Sequence, residues 1–132
     1  MAHETTIAVR FSELDPYGHV NHAVYLTYFE QARCEALQHC GIPIELISER
    51  GYQLVVTELT ARFVRSAGAG DLVTVETRLA EQRRARGTWA QRIRRDGVEL
   101  VTADITIGVT DRNGRPSRPP DWLFPALQPL LD

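Results

Sequence analysis

From Gly51 onward the sequence is almost wholly strand-like, and only one stretch before it has the period of a long helix. YQLVVTELTARFV, DLVTVETRLAEQ, GTWAQRIRR and ELVTADITIGVT are four β-rich runs, much of their length alternating with period two. Between Asn21 and about Cys40 the period changes: Tyr25, Phe29, Ala32 and Ala36 recur at helical spacing, and Val24, Tyr28 and Leu37 widen that apolar face. A further strand is expected over Thr5–Phe11. A sheet of five strands must cover one face, and the one long helix is the available cover. The expected class is therefore α+β, a five-stranded antiparallel sheet curved around one long central helix, in a single domain over residues 1–132.

The punctuation agrees with that reading. Asn21 is a good N-cap one residue ahead of the helical pattern, and Gly41 with Pro43 just beyond ends it. The separators SAGAG and DG are short, which favours antiparallel neighbours on either side of them. DWLFPALQPLL reads as a short terminal helix or extended arm, interrupted by Pro125 and Pro129.

Composition narrows the chemistry. With 43% hydrophobic residues, 24% charged and a net charge of −2, the balance is that of an ordinary soluble domain and argues against nucleic acid or acidic membrane as partner. All fifteen basic residues are arginine, so no lysine is present to form a Schiff base. Cys34 and Cys40 lie in one helical pattern, about 9 Å apart along its axis, and are expected to be reduced thiols in a cytoplasmic protein. The N-terminus lacks the basic start and apolar core of a signal peptide, and no apolar run approaches the ~18 residues of a membrane span.

The densest polar chemistry is ELDPYGHVNHAVY, immediately before the helix. Pro16 biases Asp15 toward extended backbone, and Gly18 permits a turn that other residues resist. His22, Ala23 and Val24 then occupy a first helical turn whose N–H groups lack intrahelical acceptors. Such a terminus receives developing negative charge, and Asp15 can face the same spot. A carboxylate beside free N–H groups is a workable plan for acyl transfer, the donors holding an oxyanion while the carboxylate attacks or activates water. A structural turn followed by a plain N-cap accounts for the same residues, so the pattern alone leaves both readings open.

RFSELDPYGHVNHAVYLTYFEQAR resembles the opening of hotdog-fold acyl-CoA thioesterases, in particular the 4-hydroxybenzoyl-CoA thioesterase family. Members carry an acidic residue, two variable positions, Gly-His/Ile-Val, a short spacer and a tyrosine in the central helix. Weaker likeness continues through RFVRSAGAGDLV, RIRRDGVELVTADITIGVTD and GRPSRPP. The resemblance implies hydrolysis of an acyl-CoA or acyl-carrier-protein thioester, without metal or cofactor, by a homodimer or homotetramer with substrate between subunits. Asp15 matches the catalytic carboxylate, acting as nucleophile or general base. His22 matches a position whose backbone N–H polarises the thioester carbonyl and whose side chain is catalytic in some relatives. Gly18 and Asn21 match loop positions at the substrate, His19 stands beside them, and Tyr25 matches a helix residue near the acyl pocket. Phe11 stands where some relatives have tyrosine, four residues before the aspartate, so a mechanism needing that phenol is not expected. Glu30 and Glu35 rank below Asp15. Coenzyme A phosphates favour arginine forks, and Arg94, Arg95 and Arg118 are candidates for them.

Two rivals differ in class: a hotdog dehydratase or hydratase of 3-hydroxyacyl thioesters, whose own His-containing loop pattern is absent, and a non-catalytic acyl-CoA binding module. Among the remaining polar residues, Glu13 is expected to be a solvated loop carboxylate. Glu30 and Arg33, spaced i, i+3, can pair on the helix surface, and His3 and His39, for which the sequence shows no partner, are expected at the surface.

Overall fold

The four β-rich runs form strands close to their sequence limits. The computed structural model describes residues 1–131 and contains β1 (His3–Ala8), β2 (Tyr52–Phe63), β3 (Leu72–Arg83), β4 (Arg86–Arg95) and β5 (Val98–Asp111). They make one sheet in the order β1-β3-β4-β5-β2, with every neighbouring pair antiparallel. Asp96 and Gly97 join β4 to β5 with φ of 52° and 77°, the double positive φ that a two-residue hairpin of the right twist requires.

Period-two alternation sorts the side chains. Val73, Val75 and Leu79 of β3, Trp89 and Ile93 of β4, and Val101 and Ile105 of β5 are buried on one face. Against that face lies α1 (His22–His39), an 18-residue helix that buries Tyr25, Tyr28, Phe29, Ala32, Arg33, Ala36 and Leu37. The side chain of Asn21 caps it, accepting the Ala23 N–H at 2.9 Å. Ala32 and Ala36 present no bulk, which lets the helix settle closely while Tyr28 and Phe29 contribute roughly 1.5–3 kcal/mol each by burial.

The cover is more than one helix. A short α2 (Ile44–Glu49) follows Pro43 and inserts Ile47, and α3 (Leu123–Leu127) inserts Leu123 and Leu127. Six residues are too few to display a helical period, so α2 left no signal in the sequence.

Four sequence-based expectations are corrected. The first strand ends at Ala8 because Leu72, its last partner, begins β3, and Phe11–Glu13 instead form a 3₁₀ turn. SAGAG is not a turn between neighbours: β2 pairs with β5 at one edge, and the segment crosses to β3 on the far side of the sheet. Arg33 does not pair with Glu30 on the helix surface. Its position falls on the face shared by Phe29, Ala32, Ala36 and Leu37, and its guanidinium donates inward to Gln91 Oε1 at 2.9 Å. Nor is His3 unpartnered: its Nε2 lies 3.2 Å from Glu35 Oε1, with the His39 ring 5.1 Å away. Among the described residues no helix is long and apolar enough to cross a membrane.

Candidate functional site

The loop between β1 and α1 is held by its own carboxylates. Asp15 Oδ1 accepts the N–H of Tyr17 at 2.9 Å and of His19 at 3.1 Å, and the Asp15 N–H donates to His19 O at 2.6 Å. Gly18 sits at φ +78°, a conformation that favours glycine, and its N–H closes the turn on Asp15 O at 3.1 Å. One carboxylate oxygen of Asp15 is thereby fixed, and Oδ2 accepts no hydrogen bond from the described residues.

Glu13 proves to be a clamp rather than a solvated carboxylate. Its Oε1 accepts the Tyr28 phenol at 2.7 Å and the Arg10 N–H at 2.8 Å, while its carbonyl takes the Asn21 N–H at 2.9 Å. These bonds tie the loop to α1. Burial pushes the Tyr28 phenol well above its ordinary range, and the Glu13 carboxylate adds to the effect.

The opposite wall is the crossover from β2 to β3. Val20 N–H donates to Ala67 O, and Ala67 N–H donates to the Tyr25 phenolic oxygen, both at 2.9 Å. This brings Phe63, Val64, Arg65 and Ser66 over the start of α1, enclosing a depression of about 360 Å³ whose other walls are Asp15, His19, Val20, His22 and Tyr25. The His22 ring meets Phe63 edge-on at 6.5 Å, and Tyr25 lies 5.9 Å from the same ring. Burial raises the Tyr25 phenol above its ordinary value, the Ala67 N–H and Arg95 oppose that, and the charges of Asp15 and Asp71 reinforce it.

At the head of α1 the Ala23 N–H goes to Asn21 Oδ1 and the Val24 N–H to Asn21 O, while the His22 N–H meets no acceptor among the described residues. The site therefore combines a held carboxylate, an open N–H at a helix terminus and a buried phenol.

Of the sequence candidates, Asp15, His19, His22 and Tyr25 line the depression, whereas Gly18 and Asn21 shape the loop behind it. Arg95 stands close by, donating to Asp71 Oδ2 at 2.8 Å and Ser66 O at 3.2 Å. Arg94 faces Glu76 at 3.4 Å. Arg118 lies with Arg84 just past the far end of β3, roughly 35 Å of strand away from the loop. The crossover residues were missed in the sequence. The available signal was an apolar pair, Phe63 and Val64, set between Arg62 and Arg65 at the close of a strand-like run.

The chain has relatives among known proteins. The family model described as the thioesterase-like superfamily matches residues 9–127. A chloroplastic acyl-acyl carrier protein thioesterase of Arabidopsis thaliana is 37% identical over 69% of this chain and 45% of its own length. The chain thus spans less than half of that relative. Acyl-CoA thioesterase YbgC of Haemophilus influenzae is 31% identical over 80% of this chain and 78% of the relative. The crystal structure of a hypothetical protein from Thermus thermophilus superposes with a TM-score of 0.91 at 35% identity, covering 96% of this chain and 98% of that one.

Proposed function

The chain belongs to the thioesterase-like superfamily, and on that premise we propose that it hydrolyses an acyl-CoA or acyl-carrier-protein thioester to the free acid and the thiol. The observation that carries the proposal is that the Asp15 carboxylate and the open-ended first turn at His22 line one depression. A thioester carbonyl oxygen placed at the His22 N–H meets the positive end of an 18-residue helix, where a developing oxyanion is stabilised.

Asp15 Oδ2 then supplies the attack. As nucleophile it forms an acyl-aspartyl anhydride and expels the thiolate, after which water cleaves the anhydride. As general base it takes a proton from the water that attacks the same carbon, and that proton passes to the departing thiolate. Both routes form a C–O bond, break the C–S bond and consume one water. The Tyr25 phenolic proton, uncommitted among the described residues, supports a second contact with the acyl group. Within the superfamily, the loop spacing supports a place in the 4-hydroxybenzoyl-CoA thioesterase branch of the hotdog fold.

The edge strand β2 leaves Val56 48% and Phe63 49% exposed, which supports a homodimer, or a homotetramer of such dimers, formed along that edge. Arg65 and Arg95 are the arginines close enough to the depression to meet coenzyme A phosphates. Arg94 is partly engaged by Glu76, and Arg118 serves only from another subunit. The two free thiols, both held protonated by burial, fit a cytoplasmic setting.

The test is thiol release from a panel of aliphatic and aromatic acyl thioesters, on coenzyme A and on carrier protein, by wild type and Asp15→Asn. Release should fall about 10²–10⁴-fold in the variant while its melting temperature holds. Undiminished release moves the chemistry away from Asp15, and no release by the wild type from any substrate refutes the proposal in favour of a binding module.

A further inference from the structure

The seam between α1 and β2 holds a second concavity that the chemistry above does not use. Its volume is about 600 Å³, and Leu37, Ile44, Leu54 and Trp89 make most of its wall apolar. Glu30 and Arg33 are its charged members. Glu30 is exposed, but Arg33 is only 9% exposed.

The Arg33 guanidinium carries five N–H groups, and among the described residues the one acceptor it reaches is Gln91 Oε1, through Nη1. No described carboxylate lies within ion-pair distance of it. Thr5 Oγ1 is the one fully occluded side-chain polar atom among the described residues that lacks a partner, so the unused N–H groups of Arg33, a residue of the concavity's lining, are not sealed in the core. Burial opposes its charged form, with Glu30 partly offsetting this, yet a guanidinium stays protonated in proteins. A buried cation whose one close acceptor is a neutral amide is a costly arrangement, and apolar walls around that donor, with the exposed Glu30 as the other charged member, describe a pocket for a long apolar molecule with an oxygen-bearing end.

Both concavities follow the same seam. The Asp15 depression lies where the start of α1 meets Phe63, and the second lies farther along α1, opposite Leu54 and Val56. From His22 to Arg33 the helix rises roughly 16 Å. We infer that the far end of the acyl group lies in this groove and that Arg33 reads an oxygen carried there, above all a carboxylate, so that the substrates are acyl thioesters with an acidic distal end. The inference rests on the thioesterase reading and names the substrate class of that site.

The test uses the full chain and two coenzyme A thioesters of equal length, long enough to span the seam, one ending in methyl and one in carboxylate. Wild-type kcat/KM should favour the carboxylate about 10- to 100-fold, the worth of a charge-assisted hydrogen bond. Arg33→Met keeps an apolar stem and should bring that ratio to about one, and Arg33→Lys should restore part of it. If the methionine variant does not fold, Ile44→Trp fills the groove without touching the Arg33–Gln91 bond and should abolish any preference for long over short acyl chains.

A wild-type ratio of one or less, a ratio untouched by Arg33→Met, or a chain-length preference untouched by Ile44→Trp overturns the inference and leaves the thioesterase reading standing. Loss of the dimer in Arg33→Met, with no substrate preference in wild type, makes the groove a contact with a second copy and also overturns it. If no thioester is cleaved, the thioesterase reading fails and calorimetry decides the groove. A fatty acid binding about tenfold tighter than the alcohol of equal length, with the difference lost in Arg33→Met, sustains Arg33 as a carboxylate site. Equal binding removes it.

Discussion

Replacing Gln91 by leucine tests whether a polar knot fastens α1 to the centre of the sheet. Gln91 is 1% exposed, and its Nε2 donates to Phe29 O at 3.0 Å and Thr77 Oγ1 at 2.9 Å while its Oε1 accepts from Arg33 at 2.9 Å. Leucine roughly fills the space and meets none of these groups. Thr77 can rotate its hydroxyl and Phe29 O retains its intrahelical donor, so the principal loss falls on Arg33, a buried cation deprived of its acceptor. A cost of about 2–4 kcal/mol follows. With an unfolding entropy near 2.1 cal/mol/K per residue, a chain of 132 residues should then melt roughly 7–14 °C lower. Calorimetry and urea titration at one protein concentration should compare wild type, Gln91→Leu, Arg33→Met and the double variant. Removing both partners together leaves no orphan, so the double variant should lose at least ~1 kcal/mol less than the two single losses combined. Strict additivity, or Gln91→Leu as stable as wild type, refutes the reasoning.

Two further tests address the crossover. Tyr25→Phe leaves the buried Ala67 N–H without its acceptor, so stability should drop by about 1–3 kcal/mol and kcat should suffer more than KM as the wall over the site loosens; an unchanged melting temperature contradicts this. Asp71 has its carboxyl below the ordinary 3.8, first through the Gly68 N–H and then through Arg95. A depressed folded value means stabilisation that is present above the ordinary value and lost as pH falls through the lower folded one. The denaturation curves of wild type and Asp71→Asn should therefore differ at neutral pH and converge below about pH 4, and a gap that stays constant into acid rules the linkage out.

The local features of the candidate site were open to reading because they are consequences of neighbouring residues. Asp15 before Pro16, Gly18 at a left-handed position and Asn21 ahead of an apolar period specify a turn and a capped helix wherever they occur. What escaped was whatever depended on partners distant in sequence. Glu13 reads as one more loop carboxylate until the fold brings Tyr28 to it, and Arg33 reads as a surface ion pair until the inner face of α1 is known. SAGAG has the composition of a tight turn whether it joins neighbours or crosses the sheet, since glycine and alanine permit both.

Periodicity and capping alone therefore determined five strands, one 18-residue helix and a turn that carries Asp15 just ahead of that helix, because each is encoded within a few residues. Strand order was a tertiary decision: β2 pairs with β5 rather than with its neighbour in sequence, and that choice carries residues 63–66 over Asp15 and His22 to enclose the candidate site. The same packing buries Arg33 and opens a groove beside it. Side-chain periods report which face is apolar but not which other segment will cover it, and covering is where this protein's pockets come from.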